Sequence, residues 1–205
     1  MRIATASQMR ELDRITIQER GVPSTDLMER AAEAPAPAAP GAGGGRPRPA
    51  GGGGGPGATP GGGGGGARLL LEAGLEVRCV LVGRREKLTP DTRAMEARLA
   101  AAGGRLEPFA PDDADFASWC LEADVMVDAI FGIGLNSDVR GDALTAIHMM
   151  NTCDIPVVSA DIPSGVETDT GRVLGAAVRA DRTVTFTLPK AGHFVGKGGL
   201  CTGRL

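Results

Sequence analysis

The chain has 205 residues, 42% hydrophobic and 23% charged, which suits one domain with a sizeable core. A formal charge of −3 leaves no broad basic surface for gripping nucleic-acid phosphates, so a small metabolite is the expected partner and nucleic acid is not. No run of about 18 apolar residues appears and the first residues lack the apolar core of a signal peptide, so the expectation is a cytoplasmic protein with no membrane association.

The stretch "SQMRELDRITIQERG" places Met9, Leu12 and Ile15 at near-helical spacing, with Ser7 as expected N-cap and Gly21 as stop. A second helix is expected around "TDLMERAAE", where Asp26 and Glu29 have the residue types of a capping pair. From Ala34 to Arg68 the chain holds only Ala, Pro, Gly and Arg, with Thr59 the single exception. Glycine loses the most entropy on ordering, proline removes donors, and little large and apolar is present to compensate. The expectation is therefore a disordered, low-complexity segment over 34–66 that cannot build a strand.

Regular patterns resume with "ARLLLEAG" as a helix stopped at Gly74 and "LEVRCVLVG" as a buried strand. In "TPDTRAMEARLAAAGG", Thr89 caps, Pro90 takes the first helical position, Met95, Leu99 and Ala102 form the apolar stripe, and Gly103 follows the end. Strands at "RLEPF", "DVMVDAIFG", "IPVVSAD" and "DRTVTFTL" then alternate with helices at "DDADFASWCLEA" and "GDALTAIHMMNTC". Continuous apolar strands alternating with helices predict an α/β fold: a largely parallel sheet covered on both faces, with ligands received at the carboxyl ends of the strands. Cys79, Cys120, Cys153 and Cys201 are widely spaced and read as buried thiols of a reducing compartment.

Residues just after the strands are the candidates for chemistry. Asp128 ends an apolar run and needs a partner if buried. The segment Gly132, Ile133, Gly134, Leu135, Asn136, Ser137 and Asp138 combines a glycine turn with side-chain donors and acceptors, although such a turn can be purely structural. Asp161 ends the next strand; Pro163 fixes a turn, Ser164 offers a hydroxyl, and Gly165 permits close approach of a ligand. Two strands ending in Asp on one rim give an oxygen-rich arrangement suited to a hard cation and to proton transfer. Lys190 follows the last strand and reads either as solvated or as a cation at the same rim. His148 reads as structural, and His193 lies nearer the rim without an evident metal-ligand companion.

In order and spacing, "MRELDR…GVPSTDLMERAA", "VDAIFGIGL", "DIPSGVETDTGRVLGAAVRADRTVTF" and "PKAGHF" resemble the NAD(P)H-hydrate epimerase domain, known alone and fused to a kinase-like dehydratase domain. The likeness covers residues 1 to 33 and 67 to the end. It implies a Rossmann-like three-layer αβα sandwich over residues 1–205, a bound K+, and interconversion of the R and S hydrates of NADH and NADPH. On the matching motifs it implies Asp128 and Ser164 as potassium ligands, Gly132 to Asp138 as a substrate loop, and Asp161 as a substrate-contacting acid. Asp161 is then the expected proton-transferring group and Lys190 a second catalytic group. A homodimer and a fused or separate dehydratase partner are expected on the same basis.

The chain departs from the family in one place. Where members carry a strand ending in an Asn-Asn-Gly-Gly-Asp-Gly loop, this sequence has the glycine-rich block, with neither Asn nor Asp. Its residue types share GC-rich codons, so a local misreading of the gene, a degenerate protein and a low-complexity replacement all stand as explanations, and the chain as written is expected to be weakly active or inactive. The terminus "GGLCTGRL" stops where another strand is expected, which predicts a truncated end. The departure also keeps open a non-catalytic binding or scaffold module on the same fold. An ordinary Rossmann dehydrogenase is disfavoured, since no G-x-G-x-x-G follows a first strand with an acidic residue about 20 positions on.

Overall fold

The computed structural model describes residues 2–27, 50–54 and 62–205, with the main chain alone described at 50–54 and 62–64. Helix α1 (Ala6–Arg14) continues into a π-helical turn (Ile15–Glu19). Its cap is Thr5 rather than the expected Ser7. The Thr5 hydroxyl accepts from Gln8 N and Gln8 Oε1 accepts from Thr5 N, so the two side chains satisfy each other's backbone donors. Met9 is buried, whereas Leu12 is 38% exposed, so the predicted three-residue stripe does not all face the core. Residues 24–27 form a helical turn that starts just after Pro23, with Asp26 inside it rather than capping it; Glu29 lies outside the described residues.

Six strands form one sheet: β1 (Ala50–Gly54), β2 (Val77–Leu81), β3 (Leu106–Pro108), β4 (Val125–Ala129), β5 (Val157–Ala160) and β6 (Arg182–Val184), in the order β3-β2-β1-β4-β5-β6. Every pairing is parallel. Helices α2 (Gly62–Glu72), α3 (Pro90–Ala101), α4 (Ala114–Glu122) and α5 (Gly141–Thr152) make the crossovers, and a short α6 (Gly198–Cys201) closes the fold. This is the doubly wound Rossmann-like arrangement anticipated from the alternation, and its strand order reverses between β1 and β4.

β1 overturns the expectation that the glycine-rich block cannot build a strand. Ala50–Gly54 is the central strand, in register with Val77–Leu81 on one side and Val125–Ala129 on the other. The physical reason is that a parallel ladder is made by main-chain N–H and C=O groups alone. β2 and β4 each present such an edge, and a side-chain-free segment can fill the slot between them. α2 likewise begins at Gly62, inside the block, instead of at Ala67. The rest of the block, including residues 55–61 that follow β1, lies outside the described residues.

The two sheet faces have separate cores. Val80, Val82, Met126, Ile130 and Val157 pack under α4 and α5 with Phe116, Cys120, Ala146 and Ile147. On the other face Leu70, Val125 and Val158 form one cluster and Ala67, Cys79 and Leu99 another, beneath α2 and α3. α3 follows the expected punctuation closely: Thr89 Oγ1 accepts from Thr92 N, Pro90 opens the helix, Met95 and Leu99 are buried, and Gly103 has φ +86°. β6 covers only three residues of the predicted "DRTVTFTL", because the chain turns at Thr187, which has φ +60°. Cys79, Cys120 and Cys201 are buried, Cys153 is partly so, and all four are free thiols. Among the described residues no helix is long and apolar enough to cross a membrane.

Candidate functional site

The carboxyl ends of β4 and β5 and the segments after them bring together most of the residues singled out from the sequence. Asp128 sits near the end of β4, fully buried, in register with Gly53 of β1 and Ser159 of β5. Its Oδ1 accepts from Ser164 Oγ at 2.5 Å and Ile130 N at 3.3 Å, and its Oδ2 accepts from Ser159 Oγ and Ser164 N, both at 2.8 Å. Burial pushes the Asp128 carboxyl above its ordinary range, against the lowering effect of these donors. Ser164 Oγ also accepts from Phe131 N at 2.8 Å, which ties the start of the Phe131–Asp138 loop to the turn after β5.

Ser159 was not singled out by sequence reading. The signal was present: a hydroxyl in the otherwise apolar "VVSA", two residues before Asp161. Only the register Asp128↔Ser159 shows that it points at the carboxylate.

Asp161 follows β5 and is 2% exposed. Its φ of +70° is left-handed, as is that of Thr187, and these are the two non-glycine residues in that region among the described residues. Asp161 pairs with the Lys190 ammonium, and Thr187 directly follows Phe186, whose carbonyl accepts from that ammonium. Lys190, read as solvated or at the rim, is completely buried and forms an ion pair with Asp161 Oδ1. The ammonium also donates to Thr185 Oγ1 at 2.9 Å and Phe186 O at 3.1 Å, while Phe186 N donates to Asp161 Oδ1 at 3.2 Å. These contacts hold the ammonium in one position. All the hydrogen bonds that described residues donate to the Asp161 carboxylate fall on Oδ1.

His193 has a role that its isolation from metal-ligand companions concealed. Its Nδ1 accepts from Lys190 N at 3.0 Å, so the proton lies on Nε2, which donates to Asp161 O at 2.8 Å. The imidazole thus fastens the two members of the ion pair through their main chains. Burial lowers the His193 pKa below its ordinary 6.5, so the folded protein holds the ring neutral. A lowered pKa on a base gives stability that is complete above the ordinary value and is lost as pH falls from there toward the folded value. On acidification below about pH 6.5 the melting temperature is expected to fall. It should fall less in His193→Gln, whose amide can still accept and donate; parallel melting curves of the two proteins would sink this assignment.

α1 forms a further wall. Ala4 N donates to Pro189 O at 2.9 Å, Ala6 N to Asp169 Oδ1 at 2.7 Å, and Arg10 Nη2 to Ile133 O at 3.4 Å. One turn beyond Arg10, Asp13 has its carboxyl pKa raised by burial and by the charge of Asp161, with Lys190 opposing. Sequence reading passed over Asp13, because a carboxylate on a surface helix is ordinary until the helix is seen beside the ion pair.

In the loop after β4, Gly134, Asn136, Ser137 and Asp138 are exposed, while Gly132 is buried and Ile133 and Leu135 are partly so. Neither glycine has positive φ, and a Cβ at Gly134 would meet nothing within 4 Å, so the space above it is open. Gly165 is different: at φ +95°, a Cβ there would overlap the Ala176 carbonyl oxygen. Its lack of a side chain is required by the chain's own packing. His148 is exposed on α5, away from the sheet.

The family described as YjeF-related protein N-terminus matches residues 24–192. The chain is 38% identical to the NAD(P)H-hydrate epimerase of Limosilactobacillus fermentum, over 98% of this chain and 93% of the relative. It is 37% identical to the bifunctional NAD(P)H-hydrate repair enzyme Nnr of Moorella thermoacetica, over 100% of this chain and 39% of that longer protein. Among solved structures, that of the yeast protein ynu0, YNL200c, superposes with a TM-score of 0.76 at 20% identity, covering 96% of this chain and 85% of the other, and so shares the fold.

Proposed function

Because the chain belongs to the family of YjeF-related protein N-termini, we propose that it is an NAD(P)H-hydrate epimerase, an isomerase that interconverts the R and S hydrates of NADH and NADPH. The observation that carries the reading is the buried Asp161–Lys190 pair on strained backbone at the carboxyl rim of the sheet. Inverting a hydrated carbon requires its hydroxyl to leave as water and a water to return on the other face. The site must therefore supply a proton and take one back. The Asp161–Lys190 pair is assigned to this transfer: the Lys190 ammonium is the source of the proton, Asp161 Oδ2 passes it to the leaving hydroxyl, and the entering water returns a proton by the same route. Lys190 positions the carboxylate by its charge, and the open space above Gly134 receives the dinucleotide against residues 132–138.

Asp128 and Ser164 are assigned to K+. They fit the ion: a buried carboxylate whose described partners are all neutral donors stands beside the hydroxyl oxygen of Ser164 and the Phe131 carbonyl. When bound, the cation balances the Asp128 charge and adds a positive field for the dinucleotide phosphates. Potassium chloride is expected to raise the melting temperature more than choline chloride at equal ionic strength, and Asp128→Asn to abolish the difference. A ligand at 100 times its Kd gives about 2.7 kcal/mol. Equal melts in the two salts would remove potassium from the assignment.

The direct test is equilibration of purified R and S hydrates by the chain in potassium buffer. An unchanged epimer ratio, with hydrate binding retained, would support a second reading, a non-catalytic dinucleotide-binding module. One observation favours that reading: residues 34–68 contain no Asn or Asp to place in a loop after β1. A dehydratase is the proposed partner, since the Moorella relative is bifunctional. A cytoplasmic location and a homodimer complete the proposal.

A further inference from the structure

The glycines of β1 leave a space on one face of the sheet that the functional site does not use. Register fixes which face it is. Gly51 is level with Arg78 and Met126, and Gly53 with Val80 and Asp128, so both glycines lie on the face covered by α4 and α5. A pocket of about 50 Å³, partly open to solvent, lies there, floored by Val80, Val82 and Met126 on the strands flanking β1. Phe109, Phe116, Trp119 and Cys120 line it on one side, and Ala146, Met149 and Met150 on the other.

We propose that this cavity is a binding site for one small, polarisable apolar molecule, of which xenon is the simplest representative. Three features carry the assignment. The exposed wall is apolar, and the one unpartnered buried donor of its described lining residues, Trp119 Nε1, offers a water a single hydrogen bond, fewer than the two to four that hold buried water. An apolar cavity of about 150 Å³ stays dry and accepts benzene or xenon, and one a third that size restricts the guest to something smaller. The wall also carries the sulfurs of Cys120, Met126, Met149 and Met150 and three aromatic rings, which favours a guest held by dispersion. Neighbouring edge-to-face packing of Phe109 on Phe116, with ring centroids 5.6 Å apart and an 88° interplanar angle, resists collapse of that wall. The site is independent of the epimerase reading, since Asp161 and Lys190 are not part of its wall.

The chain's single tryptophan, Trp119, lines the cavity and reports on it. Under xenon pressure, tryptophan emission of the intact chain is expected to be quenched several-fold more than that of free tryptophan, with saturation. Crystals under xenon should show one heavy-atom peak between α4 and α5. Gly53→Val, or Gly53→Ala if the larger change prevents folding, should remove the saturable quenching. Absence of saturable quenching in the unaltered chain would overturn the proposal, as would equal quenching in a folded Gly53 variant, which would place the guest elsewhere.

Discussion

Replacing Lys190 with Met is expected to destabilise the protein by about 3–5 kcal/mol and to slow hydrate epimerisation by about 10²-fold or more. The side chain is completely buried against a carboxylate that is itself 3% exposed. Methionine preserves most of the volume but removes the ammonium. That leaves Asp161 with Phe186 N at 3.2 Å and the weaker contact of Thr185 Oγ1 at 3.5 Å as side-chain partners. The cost is that of an uncompensated buried charge rather than of lost packing. A second substitution distinguishes the two. Asp161→Asn added to Lys190→Met should recover a large part of the stability, because no net charge then remains buried, while activity stays lost. Denaturant unfolding of the two single variants and the double variant measures the coupling. Wild-type stability and turnover in Lys190→Met would show that the pair neither holds the turn nor acts in proton transfer.

This pair also marks where the sequence stops being legible. The alternation of strands and helices, the caps at Thr89 and the strand-terminal aspartates could be read because each depends on local periodicity or local backbone chemistry. The burial of Lys190 could not. It arises because the chain turns at Thr187 and an N-terminal residue, Ala4, pairs with Lys190 from 186 positions away. His193 was hidden for the same reason: its hydrogen bonds go to the backbones of Lys190 and Asp161, and nothing in "KAGHF" distinguishes an imidazole that clamps main chain from one that faces water. Ser159 and Asp13 became visible only through register and through docking of α1. The glycine-rich block erred in the other direction. Composition measures what side chains can bury, and β1 is held through main-chain pairing on both of its edges.

That main-chain pairing leaves the centre of the sheet short of buried side chains, so substitutions in β1 should have an unusual sign. Gly51→Val and Gly53→Val together are expected to raise the stability by roughly 2–7 kcal/mol. Each valine adds about 1.5–3 kcal/mol on burial and about 1 kcal/mol through restriction of the unfolded chain and better strand preference. Filling a cavity of about 50 Å³ recovers about 1 kcal/mol of this. Opposing these gains, two valines exceed the available volume, and overpacking costs about 1–3 kcal/mol. The two positions should nevertheless differ in function. Gly51 is level with Arg78 and Met126 under α4 and α5, so its replacement meets the apolar wall and the stem of Arg78 but not Asp128. Gly53 is level with Asp128 on the same face, so a side chain there crowds the carboxylate assigned to K+. Gly51→Val should therefore stabilise without altering the potassium-dependent rise in melting temperature, whereas Gly53→Val should stabilise and diminish that rise. Denaturant midpoints with and without potassium decide it. A loss of stability in both variants would mean that the space over β1 is already filled, while equal potassium responses would separate Asp128 from the central strand.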